Sequence, residues 1–238
     1  MWRPLLSKDS RGIPTANSPA VPFLSPYSSK RAWNHTRRFA PVTLKRKRFL
    51  SLGTRSVLFG AHQFLLHPLF LAIAWTKLYG FPLDPRLWAA FFLHDVGYIG
   101  KVNLDGAEGE THPELGGKIM ARLFGESWGE FTKLHSRFFA SLEGRAPSAL
   151  CAADKLATTI VPKSLYLALI HLSGEVDEYL ENFRQALNSS SGKYALEARN
   201  VPSASFEFGS VEHWYASAML GNQRWIEENT QQMSITAP

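Results

Sequence analysis

The sequence predicts an all-α protein, and three observations support this fold class. From about residue 52 onward, apolar residues recur at intervals of three and four, the period of one helix face. The alternation of apolar and polar residues that indicates strands is scarce, and we find no internal repeats. A chain of 238 residues is also long enough to bury a core. We therefore expect a bundle of helices.

The N-terminal segment, residues 1–48, differs from the rest in composition and charge. Residues 1–49 contain eleven lysines and arginines and one acid, Asp9, whereas the remainder contains 15 basic and 19 acidic residues. The segment is rich in proline and serine and ends in the basic run 45–48. This composition is typical of a disordered tail. We predict that the tail either contacts phosphates of nucleic acid or lipid, or is a solvated leader, which we favour.

The remaining composition bears on compartment and on membrane insertion. The single cysteine, Cys151, excludes an internal disulfide and a cysteine-rich zinc module, so we expect a cytoplasmic protein. The longest apolar stretch, 64–75, is too short to span a bilayer, and we predict no membrane span. Residues 1–30 lack the pattern of a secretory signal. An organelle transit peptide is less favoured because prolines interrupt the tail.

The helices are predicted in the following order. The pattern indicates a long first helix over 56–80 and a second over 86–97, which starts after Pro85. A loop with turn signals covers 101–114. Further helical patterns cover 112–125, 127–142, 148–162, 164–187 and 210–229. We divide the body into a helical domain, 49–185, and a C-terminal helical extension, 186–238.

Six polar residues interrupt apolar stretches of these helices or lie at helix ends. They are His67, His94, Asp95, His112, His135 and Asp154. Each alone has an ordinary explanation: a core histidine is usually hydrogen-bonded, and Asp154 has Lys155 and Arg137 as possible ion-pair partners. Together they come from different segments, and a bundle can direct all of them into one pocket. Four imidazoles and two carboxylates without a thiolate suit Mn, Fe, Co, Zn or Mg.

The motifs around these residues resemble those of the HD-domain superfamily of metal-dependent phosphohydrolases. The stretch "LHDVGYIGK", 93–101, resembles the central motif of that superfamily, and "AADKLA", 152–157, resembles its final aspartate helix. The stretches "THPELGG", 111–117, and "KLHSRF", 133–138, resemble the two extra histidine positions of its two-metal branches. The resemblance covers roughly residues 60–165.

The resemblance implies a helical HD bundle over 49–185 with one or two divalent metals. One metal would be held by His67, His94, Asp95 and Asp154. A second would use Asp95 as a bridge, together with His112 and His135. His62 is a rival for the first position. We prefer His67, because its interval to His94 is typical of the superfamily.

The activity implied is hydrolysis of a phosphomonoester or nucleotide, that is, of a small phosphorylated substrate. In such a site a hydroxide bridging two metals attacks phosphorus, and the protein supplies positioning and positive charge. We expect Asp95, Lys101 and Arg137 to act in catalysis, with Lys155 as a further positive group. The superfamily commonly has a lysine three residues after the motif aspartate, where this chain has Tyr98.

Two alternatives remain open at the level of sequence. The same histidine and aspartate pattern resembles the di-iron oxygenases built on the HD fold, in which dioxygen binds a mixed-valent iron pair. The other alternative is a non-catalytic module that binds a nucleotide or a partner. In either case nucleic acid would be contacted only through the basic tail.

Overall fold

The computed structural model describes residues 50–189, 201 and 206–230, and these residues confirm the all-α fold class. They form ten α-helices and two short 3₁₀ helices, and none of them lies in a strand. All of them belong to one compact unit, Thr43–Pro238. The predicted disordered tail, 1–48, lies outside the described residues.

The α-helices follow one another closely along the chain. In order, they are α1 (Leu52–Phe59), α2 (Leu66–Tyr79), α3 (Pro85–Leu93), α4 (Pro113–Phe124), α5 (Glu126–Lys133), α6 (Arg137–Leu142), α7 (Ala149–Ile160), α8 (Lys163–Ser173), α9 (Glu175–Ser189) and α10 (Val211–Asn229). The 3₁₀ helices, Val96–Tyr98 and Gly109–Thr111, both lie between α3 and α4.

Several helix starts are determined by local sequence. The side chain of Ser51 accepts a hydrogen bond from the Thr54 amide at the start of α1, and Ser136 and Ser210 cap α6 and α10 in the same way. At α3 the Asp84 carboxylate caps the helix and Pro85 occupies its first position. Ser136, the cap of α6, directly follows His135, one of the six polar residues.

Three of the predicted helices are interrupted in the structure. The pattern over 56–80 is divided into α1 and α2 by a break that begins at Gly60. Only glycine fits at that position, because a Cβ there would lie 1.8 Å from Oε1 of the buried Glu175. The pattern over 164–187 is divided at Gly174, whose φ of 81° is the left-handed conformation that glycine favours. The segment 127–142 is divided between α5 and α6, and His135 lies in the break.

The helices bury two apolar clusters. The first lies among α2, α3, α5 and α7 and includes Trp75, Phe91 and Trp128. The second includes residues of α8, α9 and α10, among them Phe183 and Trp214. Phe70 packs against both clusters. Helix α10 packs on α7 and α9; the proposed division into 49–185 and 186–238 stays a prediction.

None of the described helices alone is long and apolar enough to cross a bilayer. One bent pair, α7 with α8, reaches the required length and composition, with an angle of 101° between its members. The cytoplasmic location that we expect from the cysteine content stays a prediction.

Candidate metal centre

The fold brings the six polar residues of the sequence pattern together, and all six are buried. His67 lies in the first turn of α2, and His94 and Asp95 directly follow α3. The other three residues are His112 before α4, His135 after α5 and Asp154 within α7. Their exposed fractions lie between 1% for His94 and 9% for Asp154. Since a buried polar group is costly without a partner, the arrangement requires compensation.

Four of these side chains form a first group around His67. Its Nε2 atom lies 3.2 Å from Nε2 of His94, 3.2 Å from Oδ1 of Asp154 and 3.5 Å from Oδ2 of Asp95. Nε2 of His94 lies 3.0 Å from the same Asp95 oxygen. The ligand atoms of His67, His94 and Asp154 all lie within 4.8 Å of one another.

A second group lies on the other oxygen of Asp95. The Nε2 atoms of His112 and His135 are 3.0 Å apart, and each lies 3.5 Å from Oδ1 of Asp95. Asp95 therefore faces one pair of histidines with each of its two carboxylate oxygens.

These separations suit ligands of a shared cation. With metal–ligand bonds of about 2.1 Å, two ligands are about 3.0 Å apart at a right angle and about 3.4 Å apart at a tetrahedral angle. The separations within the two groups run from 3.0 to 3.5 Å. The buried cluster can therefore hold one or more metal ions.

Three of the histidines are oriented by the ends of the helices that precede them. Nδ1 of His94 bonds the carbonyl oxygen of Phe91 at 3.0 Å. His112 and His135 make the same contact with the residue three positions earlier, at 2.8 and 2.7 Å. Because a carbonyl oxygen only accepts, Nδ1 carries the proton in each case. The C-terminal carbonyls that helix geometry leaves unpaired thus turn three Nε2 atoms toward the cluster.

The protonation states make a cation the natural partner of this cluster. Burial and the neighbouring imidazole hold the pKa of His112 well below its usual value, and burial lowers that of His135. Because Nδ1 of each ring donates to a backbone carbonyl, the Nε2 atoms of the neutral rings carry lone pairs that face each other at 3.0 Å. A metal ion between two such nitrogens removes the repulsion.

The two carboxylates of the cluster also have pKa values that favour their ionised form. Burial opposes ionisation of Asp95, but His94 and the surrounding imidazoles outweigh it and hold its pKa well below the usual value. Burial likewise opposes ionisation of Asp154, but Lys155 and the other neighbours outweigh it and hold the pKa of Asp154 well below the usual value. The Oδ2 atom of Asp95 is buried and has no hydrogen-bond partner among the described residues. An ionised, unpartnered oxygen among imidazoles fits a metal ligand.

Comparisons with known proteins do not add a family. No protein-family model, curated protein or solved structure matches the chain. What the structure supports is an all-α fold with a buried histidine and aspartate cluster that is compatible with an HD-type metal site.

Close backbone contacts bring the parts of the cluster together. A Cβ on Gly97 would lie 1.9 Å from the carbonyl oxygen of His112, and one on Gly116 would lie 2.3 Å from that of Leu93. Only glycine permits these approaches, so Gly97 and Gly116 let the His112 segment and α4 pack on the end of α3.

The three basic residues predicted to supply positive charge, Lys101, Arg137 and Lys155, make different contacts. Lys101 donates to the hydroxyl of Thr111, next to His112. The guanidinium of Arg137 lies 5.4 Å from the ring centre of Trp225. Nζ of Lys155 lies 2.8 Å from Oδ2 of Asp154.

Two aromatic rings near the cluster also differ in placement. Tyr98 stacks on His112 with ring centres 3.9 Å apart. The rival histidine, His62, bonds Ser56 through Nδ1 at 2.7 Å, and its ring centre lies 6.2 Å from that of His67. The structure therefore brings His67 into the first group and places His62 beside it.

Sequence analysis missed two glutamates of α9 that organise the loops around the cluster. Glu175, fully buried, accepts from the amide of Ala61 in the loop that leads to His67. Glu178, one turn later, accepts from the amides of residues 104 and 105 in the loop that leads to His112. Their sequence position gives no signal, since acids are common in the first turn of a helix.

Proposed function

We propose that the chain is a metal-dependent phosphohydrolase that acts on a phosphomonoester through two divalent metal ions. The observation that carries the proposal is the position of Asp95, whose two oxygens face two separate groups of imidazoles. A carboxylate shared in this way is suited to hold two cations close together, the arrangement that two-metal hydrolysis uses.

The donor geometry supports a specific division of the ligands. The first metal would be held by His67, His94, Asp154 and Oδ2 of Asp95. The second would be held by His112, His135 and Oδ1 of Asp95. The second group offers fewer protein ligands, which leaves more coordination positions for water and substrate. Imidazole and carboxylate donors accept Mn, Fe, Co, Zn or Mg, and the donor set does not single out one of them.

The reaction is a displacement at phosphorus that needs no oxidant. Bound divalent metals supply a hydroxide nucleophile at neutral pH and positive charge for the phosphate oxygens. The oxygen of water forms a bond to phosphorus, the ester P–O bond breaks, and the alcohol leaves with a proton. The protein would supply Asp95 as the shared ligand and positive charge from Lys101, Arg137 or Lys155.

The di-iron oxygenase is the second candidate, because the same donor set without thiolate also suits iron. Four imidazoles and two carboxylates would hold an iron pair with the geometry described above. The two functions differ in the metal that supports turnover and in the need for dioxygen. A non-catalytic module is less favoured, since all six positions of the pattern hold residues able to bind metal.

One experiment separates the functions. The full chain is stripped with a chelator, reloaded with Mn²⁺, Co²⁺, Zn²⁺, Mg²⁺ or Fe²⁺, and assayed anaerobically for phosphate release from a panel of phosphomonoesters and nucleotides. We expect metal-dependent release that is lost in His135→Gln and kept in His171→Gln, which changes an exposed histidine. In a parallel assay in air, turnover of the same substrates only with iron and dioxygen, without anaerobic release of phosphate, would replace the hydrolase with the oxygenase.

A further inference from the structure

A cavity of about 60 Å³ adjoins the first group of candidate ligands. His67 and Asp154 form part of its wall, so the cavity opens directly on the cluster. The remaining wall comes from the loop after α1 and from α2, α7 and α8. The cavity is therefore placed to receive the part of a substrate that lies next to the reacting phosphorus.

The polar side of the cavity presents nitrogen donors. Lys155 lines it, and its ammonium group has three donors, one of which is directed to Asp154. Gln63 also lines it, and because the amide oxygen of Gln63 accepts from Leu66, its NH₂ group is left for the cavity. His62 contributes a ring whose Nδ1 is held by Ser56. Such a wall complements the oxygens of an anion.

The charge of the cluster supports a dianion. With two divalent cations bound, the two ionised carboxylates would leave an excess of two positive charges, and Lys155 would add one more. A phosphomonoester carries about two negative charges at neutral pH. A phosphodiester or a neutral amide would leave buried positive charge without compensation.

The opposite side of the cavity is apolar and limits the size of the alcohol. Leu66, Phe70, Val161 and Leu169 line it. Pockets that hold drug-sized ligands measure roughly 300–1,000 Å³. The volume of about 60 Å³ is far smaller, so a small alcohol can lie within the cavity, whereas most of a nucleoside would have to extend out of it into solvent.

We infer that the substrate is the phosphate monoester of a small, partly apolar alcohol, with Lys155 contacting the phosphate and the alcohol lying in the cavity. This inference rests on the proposed hydrolase function and narrows it by excluding nucleotides. It assigns Lys155, rather than Lys101, as the phosphate-binding lysine of this chain.

Two measurements on the metal-loaded full chain test the inference. The first is binding of inorganic phosphate by calorimetry to the wild type, Lys155→Gln and Lys118→Gln, with metal content measured in each sample. Loss of a charge-assisted hydrogen bond should weaken phosphate binding about 10-fold or more in Lys155→Gln. Lys118, an exposed residue of α4, provides the matched control, which should bind phosphate as the wild type does.

The second measurement compares kcat/KM for phosphate esters of two- to four-carbon alcohols with that for nucleoside monophosphates. We expect the small esters to be preferred, and Leu169→Ala, which widens the cavity, to reduce that preference. Unchanged phosphate binding in Lys155→Gln with intact metal content, or a preference for nucleotides, would overturn the inference and leave the hydrolase standing. Failure of the metal-loaded wild type to bind phosphate or to hydrolyse any ester would instead overturn the proposed function.

Discussion

Replacing Asp95 with asparagine is the most informative perturbation of the cluster, because it changes one charge and almost no volume. The two oxygens of Asp95 lie 3.0–3.5 Å from four imidazole nitrogens. An amide in the same place keeps the shape but is a poor bridge between two cations. It also introduces an NH₂ donor among nitrogens that carry lone pairs.

The loss of stability in Asp95→Asn should be larger with metal than without it. In the metal-free protein the imidazoles around the ionised Asp95 outweigh its burial and hold its pKa well below the usual value, so the folded state stabilises this charge. Weakening these contacts should cost about 1–3 kcal/mol, so metal-free Asp95→Asn should be less stable than the metal-free wild type. For a domain of this size each kcal/mol shifts the unfolding temperature by about 2–4 °C.

With metal present the difference should widen. At a free metal concentration 100 times the Kd, each bound ion stabilises the folded wild type by about 2.7 kcal/mol. Asp95→Asn should bind fewer ions and gain correspondingly less.

The assay is calorimetric unfolding of chelator-treated protein with and without added metal, together with elemental analysis of bound metal. Asp177→Asn makes the same chemical change at an exposed position of α9 and should follow the wild type in both conditions. If Asp95→Asn binds as much metal as the wild type, or gains as much stability as the wild type from added metal, our assignment of Asp95 as a shared ligand is wrong.

Three further predictions follow from the surroundings of the cluster. Glu178→Gln should weaken metal binding at the His112 group about 10- to 100-fold, as the loss of a supporting contact does in other metal sites, and Glu175→Gln should instead weaken metal binding at the His67 group. Calorimetric titration with metal resolves the two sites. Equal effects of the two variants on both sites would contradict this prediction. Tyr98→Leu removes the stacking on His112 and should lower the free energy of unfolding by about 0.5–1.5 kcal/mol, whereas Tyr98→Phe should keep the stacking. Equal losses of stability for the two variants in chemical denaturation would refute a stacking role. Deletion of residues 1–48 should leave metal content and turnover unchanged, and a loss of either would show that the tail takes part in the site.

The sequence predicts the members of the cluster well, for a physical reason. A buried His or Asp within or beside an apolar helix needs compensation, so six such residues from five separate segments of the chain indicate a shared partner. The choice of His67 over His62 depended on the spacing typical of the HD superfamily, and the structure brings His67 into the first group. The all-α class followed from helical periodicity, which depends only on local order.

The interruptions of the helices were not predictable in the same way. The loop that begins at Gly60 is held by Glu175, which is more than a hundred residues away in the chain and contacts this loop only in the folded protein. The loop before His112 is likewise held by Glu178 through backbone amides. Contacts between a side chain and a distant backbone leave no pattern in the sequence, so these supporting residues appear only in three dimensions.

The most direct test of the central claim is the metal content of chelator-treated protein after incubation with excess divalent metal and removal of unbound ions. Our account predicts two ions per chain for the wild type, and one for His112→Gln, which removes a ligand of the second group only. A wild type that retains no metal, or a His112→Gln variant that retains as much as the wild type, would contradict the assignment of the cluster as a two-metal centre.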